Sequence, residues 1–466
     1  MRPRAENPRS ATPRSAWAWL LVAICTASWG TAAPADTAAA DTATAAVSAG
    51  AVAIAPGDPL PALAVGAELR LLPGIHRGPW AIDAPDVRLV AAPGAVLDGG
   101  GFGTALTVTA PGVRLEGLTV TGVGPEADLY APDAAVALLG AHGAVVVGLR
   151  AHGVTAGVHV EDAADVRLLD LDLRGDARGP GVTSYLTPGL RIEGGRIEGF
   201  LDGAYLERAD GALVAGLELR GNRRYGLHVM FTAGVTLRDN VVAGGGVGSA
   251  VMYGRDAVVA GNLLEGHRGA MAFGLLLQEE RDAVLSGNTA RGNTVGLLLV
   301  AASGARLDDN RLEGNGVGVL LERAPVGSVA DASSVSIVGH DFVANAADLA
   351  VADDDAALTL RGNAFDRAPP LDLDGDGVID LPYVATSAFA ARAARQPDLM
   401  LLAYGPGIAL WQRLESGVPG LRAAAFADPA PRLPAPVQRD AGAGWPAALA
   451  ALALALGGAA NARGWT

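Results

Sequence analysis

The residues best suited to chemistry lie in the stretch RRYGLHVMFT at 223–232. The chain holds only seven His and five Met, yet His228 and Met230 stand two positions apart here. On a strand, side chains at this spacing point to the same side. Imidazole and thioether are soft donors, and where no thiolate is at hand they suit Cu(I) better than Zn²⁺. The pair predicts either a soft-metal site or an ordinary strand in which Met fills space.

A repeat positions this stretch in the chain. Aligned segments share a corner residue at intervals of 22, 26 and 22 residues, at Asn240, Asn262, Asn288 and Asn310. A second turn column follows five residues later, at Gly245, His267, Asn293 and Asn315. Periods of this size signal a solenoid, and Gly and Asn tolerate the left-handed conformations that corners need. The repeat predicts an all-β fold, a right-handed parallel β-helix over 52–365 with room for about 14 coils.

Counting back from the corner Asn separates inward from outward positions, because strand side chains alternate. The inward columns are apolar apart from one Ser: Leu227, Ser249, Leu275, Leu297 and Val229, Val251, Leu277, Leu299. The outward columns are His228, Ala250, Leu276, Leu298 and Met230, Met252, Gln278, Val300. Met252 is thus expected about 5 Å from Met230 on the next coil.

Two interpretations of this outer face stay open. His228, Met230 and Met252 form a plausible Cu(I) constellation, and Met271, in the loop entering its strand, could swing over the Met pair. The alternative is an apolar face that packs under a loop or docks a partner protein, as Leu276, Leu298 and Val300 suggest.

The remaining histidines have simpler explanations. His267 and His340 occupy corner columns otherwise held by Asn, which favours a turn role over ligation. His159 lies three coils before His228, with Tyr205 between them. At about 14 Å along the face, His159 is too far away to share an ion with His228.

An acidic motif, DRAPPLDLDGDGVIDLPY, ends the repeat and is expected to form a closure loop over 366–385. Its oxygen donors and Gly377 match the first part of an EF-hand-type calcium loop: Asp372, Asp374, Asp376 and Asp380. Tyr383 replaces the bidentate Glu of an EF-hand. A structural Ca²⁺ site and a solvated Asp-Gly turn both remain open.

The ends of the chain carry other signals. Arg-rich residues followed by AWAWLLVAICTASW resemble a secretory signal peptide, with cleavage at Ala33 or Ala35. Cys25 lies inside this leader, so the mature chain is expected to lack thiols and disulfides. The other expected segments are a low-complexity stretch at 36–51, a short helical C-terminal extension at 386–427, and a Pro-rich linker with an apolar tail at 428–466 that is too short to span a bilayer.

Composition narrows the function. The net charge of −14 argues against nucleic-acid binding, and the absence of Lys rules out a Walker-type nucleotide site. A β-helix polysaccharide lyase or hydrolase that uses the Asp cluster with Ca²⁺ is one alternative. The cluster lies beyond the last expected coil, however, and no Lys exists to act as a base. A structural or adhesive solenoid is a further alternative.

The ordered combination of signal peptide, Asn-cornered β-helix, YGLHVMFT, VGSAVMYGRDAVVAGN, DLDGDGVIDLPY and GPGIALWQRLESGVPGLRAAAF resembles the NosD family over about residues 55–430. The resemblance implies a periplasmic, non-enzymatic accessory protein of denitrification. Such a protein would work with an ABC transporter to mature nitrous-oxide reductase, handling copper or a sulfur species for its copper centres.

The resemblance also implies partners and site residues. Expected partners are the ABC permease, its ATPase, a copper chaperone lipoprotein and the reductase, with membrane association through the permease. The family's H-x-M-x-T stretch falls on His228, Met230 and Thr232, and its following Met falls on Met252. The apparent insertion APVGSVADASS and the apolar tail depart from the family pattern, which leaves partner docking open.

Overall fold

The computed structural model describes residues 50–270, 272–323, 334–352, 356–385 and 426–434, together with isolated positions between 389 and 414. The expected signal peptide, Met271 and the apolar tail lie outside the described residues. Most of the expected helical extension does too, although Phe389 and Ile408 are described in helical conformation. Among the residues described, no helix is long and apolar enough to cross a membrane.

The chain is a parallel β-helix, as predicted from the repeat. Each regular coil has a short strand, a corner, a second short strand, a second corner and a longer strand, so the rod has three faces. Every strand of the coils pairs in parallel with its equivalent one coil away, which satisfies its backbone polar groups with hydrogen bonds along the rod.

The longer strands form a sheet of twelve, here called the long face. Its strands are β4 Trp80–Ile82, β7 Leu106–Val108, β10 Ala134–Leu139, β13 Ala156–Glu161, β15 Val182–Tyr185, β17 Asp202–Glu207, β19 Tyr225–Met230, β22 Val247–Met252, β25 Phe273–Gln278, β28 Val295–Val300, β31 Val317–Glu322 and β34 Ala347–Val351.

The shorter strands form two ladders that merge in the middle of the rod. The first ladder contains β1 Val52–Ile54, β2 Glu68–Leu71, β5 Arg88–Ala91, β8 Arg114–Glu116, β11 Val145–Val147, β20 Thr236–Arg238, β23 Val258–Ala260, β26 Val284–Ser286, β29 Ala305–Asp308, β32 Ser334–Val338 and β35 Ala357–Arg361. The second contains β3 Gly74–Arg77, β6 Ala95–Asp98, β9 Thr119–Thr121, β12 Arg150–Val154, β21 Val241–Ala243, β24 Leu263–Glu265, β27 Thr289–Arg291, β30 Arg311–Glu313, β33 Asp341–Val343 and β36 Ala364–Phe365. Three long strands belong to both: β14 Arg167–Gly175, β16 Arg191–Glu198 and β18 Leu213–Arg220.

The long face has twelve strands, and the first ladder has fourteen when the three shared strands are included, against the expected 14 or so coils. The expectation assumed a uniform repeat of about 22 residues. Two coils are longer, because Leu106 pairs with Val136 and Val317 pairs with Ala347. Each of these two coils therefore spans 30 residues, from 106 to 136 and from 317 to 347.

The first corner is a ladder of side-chain amides, as the aligned Asn residues predicted. The Nδ2 of each Asn donates to the Oδ1 of the next, at 3.0, 2.9 and 2.8 Å, along Asn240, Asn262, Asn288 and Asn310. His340 continues the column, with its Nε2 3.3 Å from Nδ2 of Asn310. These residues are buried, so the ladder satisfies polar groups that water cannot reach.

The second corner repeats this arrangement. The backbone N–H of His267 donates to Asn293 Oδ1 at 3.0 Å, and Asn315 Nδ2 donates to Asn345 Oδ1 at 3.0 Å. His267 Nε2 lies 3.3 Å from the carbonyl oxygen of Val242. The predicted turn roles of His267 and His340 are thereby confirmed.

The C-terminal end of the rod is closed by a segment expected to be a linker. β38 Ala427–Asp428 pairs antiparallel with β37 Tyr383–Val384. The fully buried Asp428 carboxylate accepts hydrogen bonds from the backbone N–H and the Nδ2 of Asn363, both at 2.8 Å. Arg432 Nη2 reaches Asp341 Oδ1 at 2.6 Å. The start of the Pro-rich stretch therefore caps the last amide of the first ladder.

Asp428→Ala should destabilise the end of the rod by about 2–4 kcal/mol, because the Asn363 donors and the Gly362 N–H lose a buried acceptor. Urea unfolding followed by circular dichroism measures the loss. Glu198→Ala, which removes a partly exposed ion pair with Arg196, is the control and should cost less than about 1 kcal/mol. Equal midpoints for the two variants would contradict the capping role.

His340 should make the fold sensitive to acid. Burial lowers the pKa of His340 to about 4 from an ordinary 6.5. Below pH 6.5 this His binds a proton in the unfolded chain, whereas in the folded chain it binds one only below about pH 4. Stability is therefore lost as the pH falls from 6.5 to about 4.

His340→Asn restores the amide found at this corner in other coils. It should therefore gain about 2 kcal/mol relative to the wild type at pH 5 beyond any difference at pH 8. Urea midpoints at both pH values give the comparison. His152→Asn, at a half-exposed position, is the matched control and should show little pH dependence. A difference between wild type and His340→Asn that is the same at both pH values would refute the assignment.

Candidate functional site

The candidate residues occupy the outer side of the long face in the predicted register. Tyr205, His228 and Ala250 pair in one column, and Glu207, Met230 and Met252 pair in the next. The inward neighbours of His228 and Met230 belong to the core inside the rod, whereas Met230 and Met252 belong to a separate outer cluster. Outward orientation is therefore correct.

These outward side chains are covered, however, and not exposed. His228 is 3 %, Met230 6 % and Met252 8 % accessible. Phe389, together with the partly buried Leu399 and Ile408 of the segment at 386–426, packs in the same outer cluster as the two Met. Met230 and Met252 are thus part of a buried apolar cluster that also includes residues from outside the coils.

The long face changes character at the Met pair. On the two strands directly upstream, β15 and β17, its outward residues are polar or aromatic, as in Thr183, Tyr205 and Glu207. Downstream they are mainly apolar: Ala250, Leu276, Leu298, Val300 and Leu320. His228 and Met230 lie at this boundary, so soft donors meet hydrogen-bonding groups on one side and an apolar cluster on the other.

His228 is held by the buried carboxylate of Asp202. Its Nδ1 lies 3.0 Å from Asp202 Oδ2. Arg224 grips the same carboxylate, with Nε 2.7 Å from Oδ1 and Nη2 2.5 Å from Oδ2. Burial alone would raise the pKa of Asp202, but hydrogen bonds and charge from Arg224 and His228 hold that pKa below its ordinary value.

Two aromatic rings fix the plane of the imidazole. The ring of Tyr225 lies 4.2 Å from that of His228, and Tyr205 approaches it edge-on at 4.9 Å. Arg224 also stacks over Tyr225, with Cζ 5.4 Å from the ring centroid. His228 therefore has few rotamers to lose on binding a ligand.

A hydroxyl–carboxylate cluster lies beside Met230. Tyr205 donates a hydrogen bond to Glu207, and its hydroxyl is 3.8 Å from Met230 Sδ. Tyr130, from the loop before β10, donates to Glu207 Oε2 at 2.9 Å. Burial and the Glu207 carboxylate raise the pKa of Tyr205 far above its ordinary value, so its hydroxyl stays a neutral donor.

The sequence analysis did not identify Asp202, Arg224, Glu207 or Tyr130 as part of this site. Three of them could have been predicted from the repeat. The coil-to-coil alignment that relates Met230 to Met252 also aligns Asp202 with Tyr225 and Glu207 with Met230. Arg224 directly precedes Tyr225. Tyr130 comes from a loop, where the repeat gives no register.

The donor set fits a soft cation. Nδ1 of His228 forms a hydrogen bond with Asp202, which leaves Nε2 to bind a ligand. Met230 and Met252 contribute thioethers from adjacent coils. Nitrogen and thioether donors in an apolar surrounding favour Cu(I) over hard divalent ions. The nearby carboxylates of Asp202 and Glu207 are already engaged in hydrogen bonds.

His159 occupies the same column three coils upstream, as expected. The column runs His159, Thr183, Tyr205, His228. His159 Nε2 is 3.4 Å from Glu161 Oε2, and burial lowers its pKa. It is as well covered as His228 but carries no thioether neighbour, which makes it a matched comparison residue.

The acidic closure loop brings three of its four candidates together. Oxygens of Asp372, Asp374 and Asp376 lie within 4.8 Å of one another. Asp380 turns instead to the backbone N–H of Leu373, at 2.7 Å. Asp372 accepts the N–H groups of Gly375 and Gly377 at 2.7 and 3.0 Å. The calcium site stays a prediction on these residues.

Fold and site together define a β-solenoid whose chemistry-bearing residues lie on the outer side of one long sheet. Residues 169–360 match the family described as periplasmic copper-binding protein (NosD). This match over 169–360 confirms the resemblance to the NosD family seen in the sequence.

Two relatives share the family name "Probable ABC transporter binding protein NosD". The protein of Pseudomonas aeruginosa is 34 % identical over 156 residues, which is 32 % of this chain and 36 % of the relative. That of Stutzerimonas stutzeri is 33 % identical over 141 residues, covering 29 % and 32 %. The chain thus spans about a third of the length of these relatives.

Solved β-helix structures are more distant. The periplasmic alginate epimerase AlgG has a TM-score of 0.44 at 13 % identity, over 64 % of this chain and 77 % of that one. The A-module of the Azotobacter vinelandii mannuronan C-5 epimerase AlgE4 has a TM-score of 0.39 at 15 % identity, over 63 % and 88 %. The family assignment rests on the family match and the sequence relatives.

Tyr205→Phe should cost about 1–2 kcal/mol of stability, because the largely buried Glu207 carboxylate then keeps only the hydroxyl of Tyr130 among these donors. Tyr130→Phe, at a half-exposed position, should cost less. Urea unfolding of both variants measures the difference. A Tyr205→Phe midpoint equal to that of the wild type would show that the cluster does not stabilise the face.

Proposed function

We propose that this protein is a periplasmic, non-enzymatic binding component of an ABC transporter system that matures nitrous-oxide reductase. Its cargo is copper, bound as Cu(I) by His228, Met230 and Met252. The observation that carries the proposal is the juxtaposition of an oriented imidazole and two thioethers on adjacent coils of one covered face. The names of the family and of its two relatives support the periplasmic, copper-binding and transporter roles.

The location of the site suits a carrier. Its donors are buried, with an apolar cluster on one side. Such surroundings exclude water and lower the dielectric constant, which favours Cu(I) over strongly hydrated divalent cations that compete for the site. Release then requires a partner that uncovers the face or supplies better donors. A permease with its ATPase, a copper chaperone lipoprotein and the reductase are the proposed partners.

The closure loop has a separate proposed role. Oxygens of Asp372, Asp374 and Asp376 lie within 4.8 Å of one another, close enough to bind one ion. A Ca²⁺ ion held there would be structural and would stiffen the closure. The acidic cluster follows β34, the last strand of the long face, in the chain, and we propose no polysaccharide chemistry for it.

Cu(I) affinity of conservative variants tests the copper proposal. Met230→Leu/Met252→Leu keeps the side-chain volume and removes both thioethers. This double variant and His228→Gln should each lose at least tenfold in affinity, measured anaerobically by competition with a chromophoric Cu(I) chelator.

The control is His159→Gln, on the same column and equally covered, which should bind like the wild type. Circular dichroism confirms that each variant is folded. Wild-type affinity in both site variants would overturn the copper site and leave the face as a packing and docking surface.

A further inference from the structure

Asp202 is unusual among the outward residues of the long face. It is fully buried and charged, whereas the residues paired with it on the next two coils are Tyr225 and Val247. A buried ion pair is weak evidence for stability, since apolar residues of similar size often stabilise as well. Its presence one coil before His228 therefore needs a reason connected with that residue.

The hydrogen bonds of the Asp202 carboxylate determine which nitrogen of the His228 imidazole carries the proton. Oδ1 accepts from Arg224 Nε at 2.7 Å, and Oδ2 accepts from Arg224 Nη2 at 2.5 Å. His228 Nδ1, 3.0 Å from Oδ2, faces an oxygen that can only accept. Nδ1 must therefore carry the proton, and the Nε2 of a neutral ring must carry the free electron pair.

We infer that Asp202, locked by Arg224, is a positioning residue that holds His228 as the Nδ1-protonated tautomer, with Nε2 presented to Cu(I) beside the two thioethers. The inference rests on the proposed copper function. Carboxylates that orient ligating histidines in this way commonly raise metal affinity by 10–100-fold.

Asn at this position has a predictable opposite effect. The guanidinium of Arg224 requires an acceptor, so the amide oxygen of Asp202→Asn turns to Arg224 and the NH₂ turns to His228. Nδ1 must then accept a hydrogen bond, which moves the ring proton to Nε2 and removes the free electron pair.

The first readout is the tautomer in the metal-free protein, from ¹⁵N NMR of the histidine rings, with the His228 signals assigned by their loss in His228→Gln. The wild type should show Nδ1 protonated and Nε2 unprotonated, and Asp202→Asn should show the reverse. An Nε2-protonated ring in the wild type would overturn the inference without recourse to any variant.

The second readout is Cu(I) affinity by chelator competition. Asp202→Asn should lose 10–100-fold while still reaching the wild-type stoichiometry at saturation. The matched control is Asp348→Asn, which removes the same charge from another buried Asp–Arg pair on the long face, with Arg367 Nη2 3.0 Å from the carboxylate. Asp348→Asn should leave the affinity and the His228 tautomer unchanged.

The outcomes separate the two proposals. If the wild type binds Cu(I) at His228 and Asp202→Asn binds equally well, the positioning role is wrong and the copper function stands. If the wild type does not bind Cu(I), the proposed function fails and takes this inference with it.

Discussion

The structure depends on the stacking of each coil directly on the next through parallel hydrogen bonds. Corners are the weak points of such a rod, because the chain turns there and exposes buried amide groups to an interior without water. Ladders of Asn side chains solve this by carrying the hydrogen bonds around two corners. A ladder must end somewhere, and Asp428 supplies the final acceptors for Asn363. The segment that supplies it is distant in sequence, which ties the C-terminal part of the chain to the rod.

Stacking also decides what the long face can do. The constant register places equivalent positions of successive coils about 4.8 Å apart. A single substitution in the repeat therefore changes one residue in a column of stacked side chains. At His228 and Met230 the column changes from hydrogen-bonding to apolar residues. The regular scaffold thus sets donor spacing without a dedicated loop, and Met230 and Met252 are buried in an apolar cluster that also contains Phe389.

The carboxylates at this boundary are costly to bury and are stabilised by hydrogen bonds. Asp202 keeps its charge in a buried position because Arg224 and His228 supply three hydrogen bonds. Glu207 is held similarly by two tyrosine hydroxyls. A network in which both carboxylates accept several hydrogen bonds fixes side chains in one arrangement, which is what a preorganised binding site requires.

The sequence alone determined the parallel β-helix, the corner columns, the roles of His267 and His340, and the outward direction of His228, Met230 and Met252. These follow from a period of about 22 residues and the alternation of strand side chains, both of which are local properties. Only the tertiary structure decided that the outward face is covered, that Asp428 caps the rod and that Tyr130 reaches Glu207. Those contacts join segments outside the repeat to the coils, and periodicity carries no register for a loop or a distant segment. The Asp202–Arg224–His228 arrangement lies between the two cases: register aligns β17 with β19, but only packing shows which atoms meet.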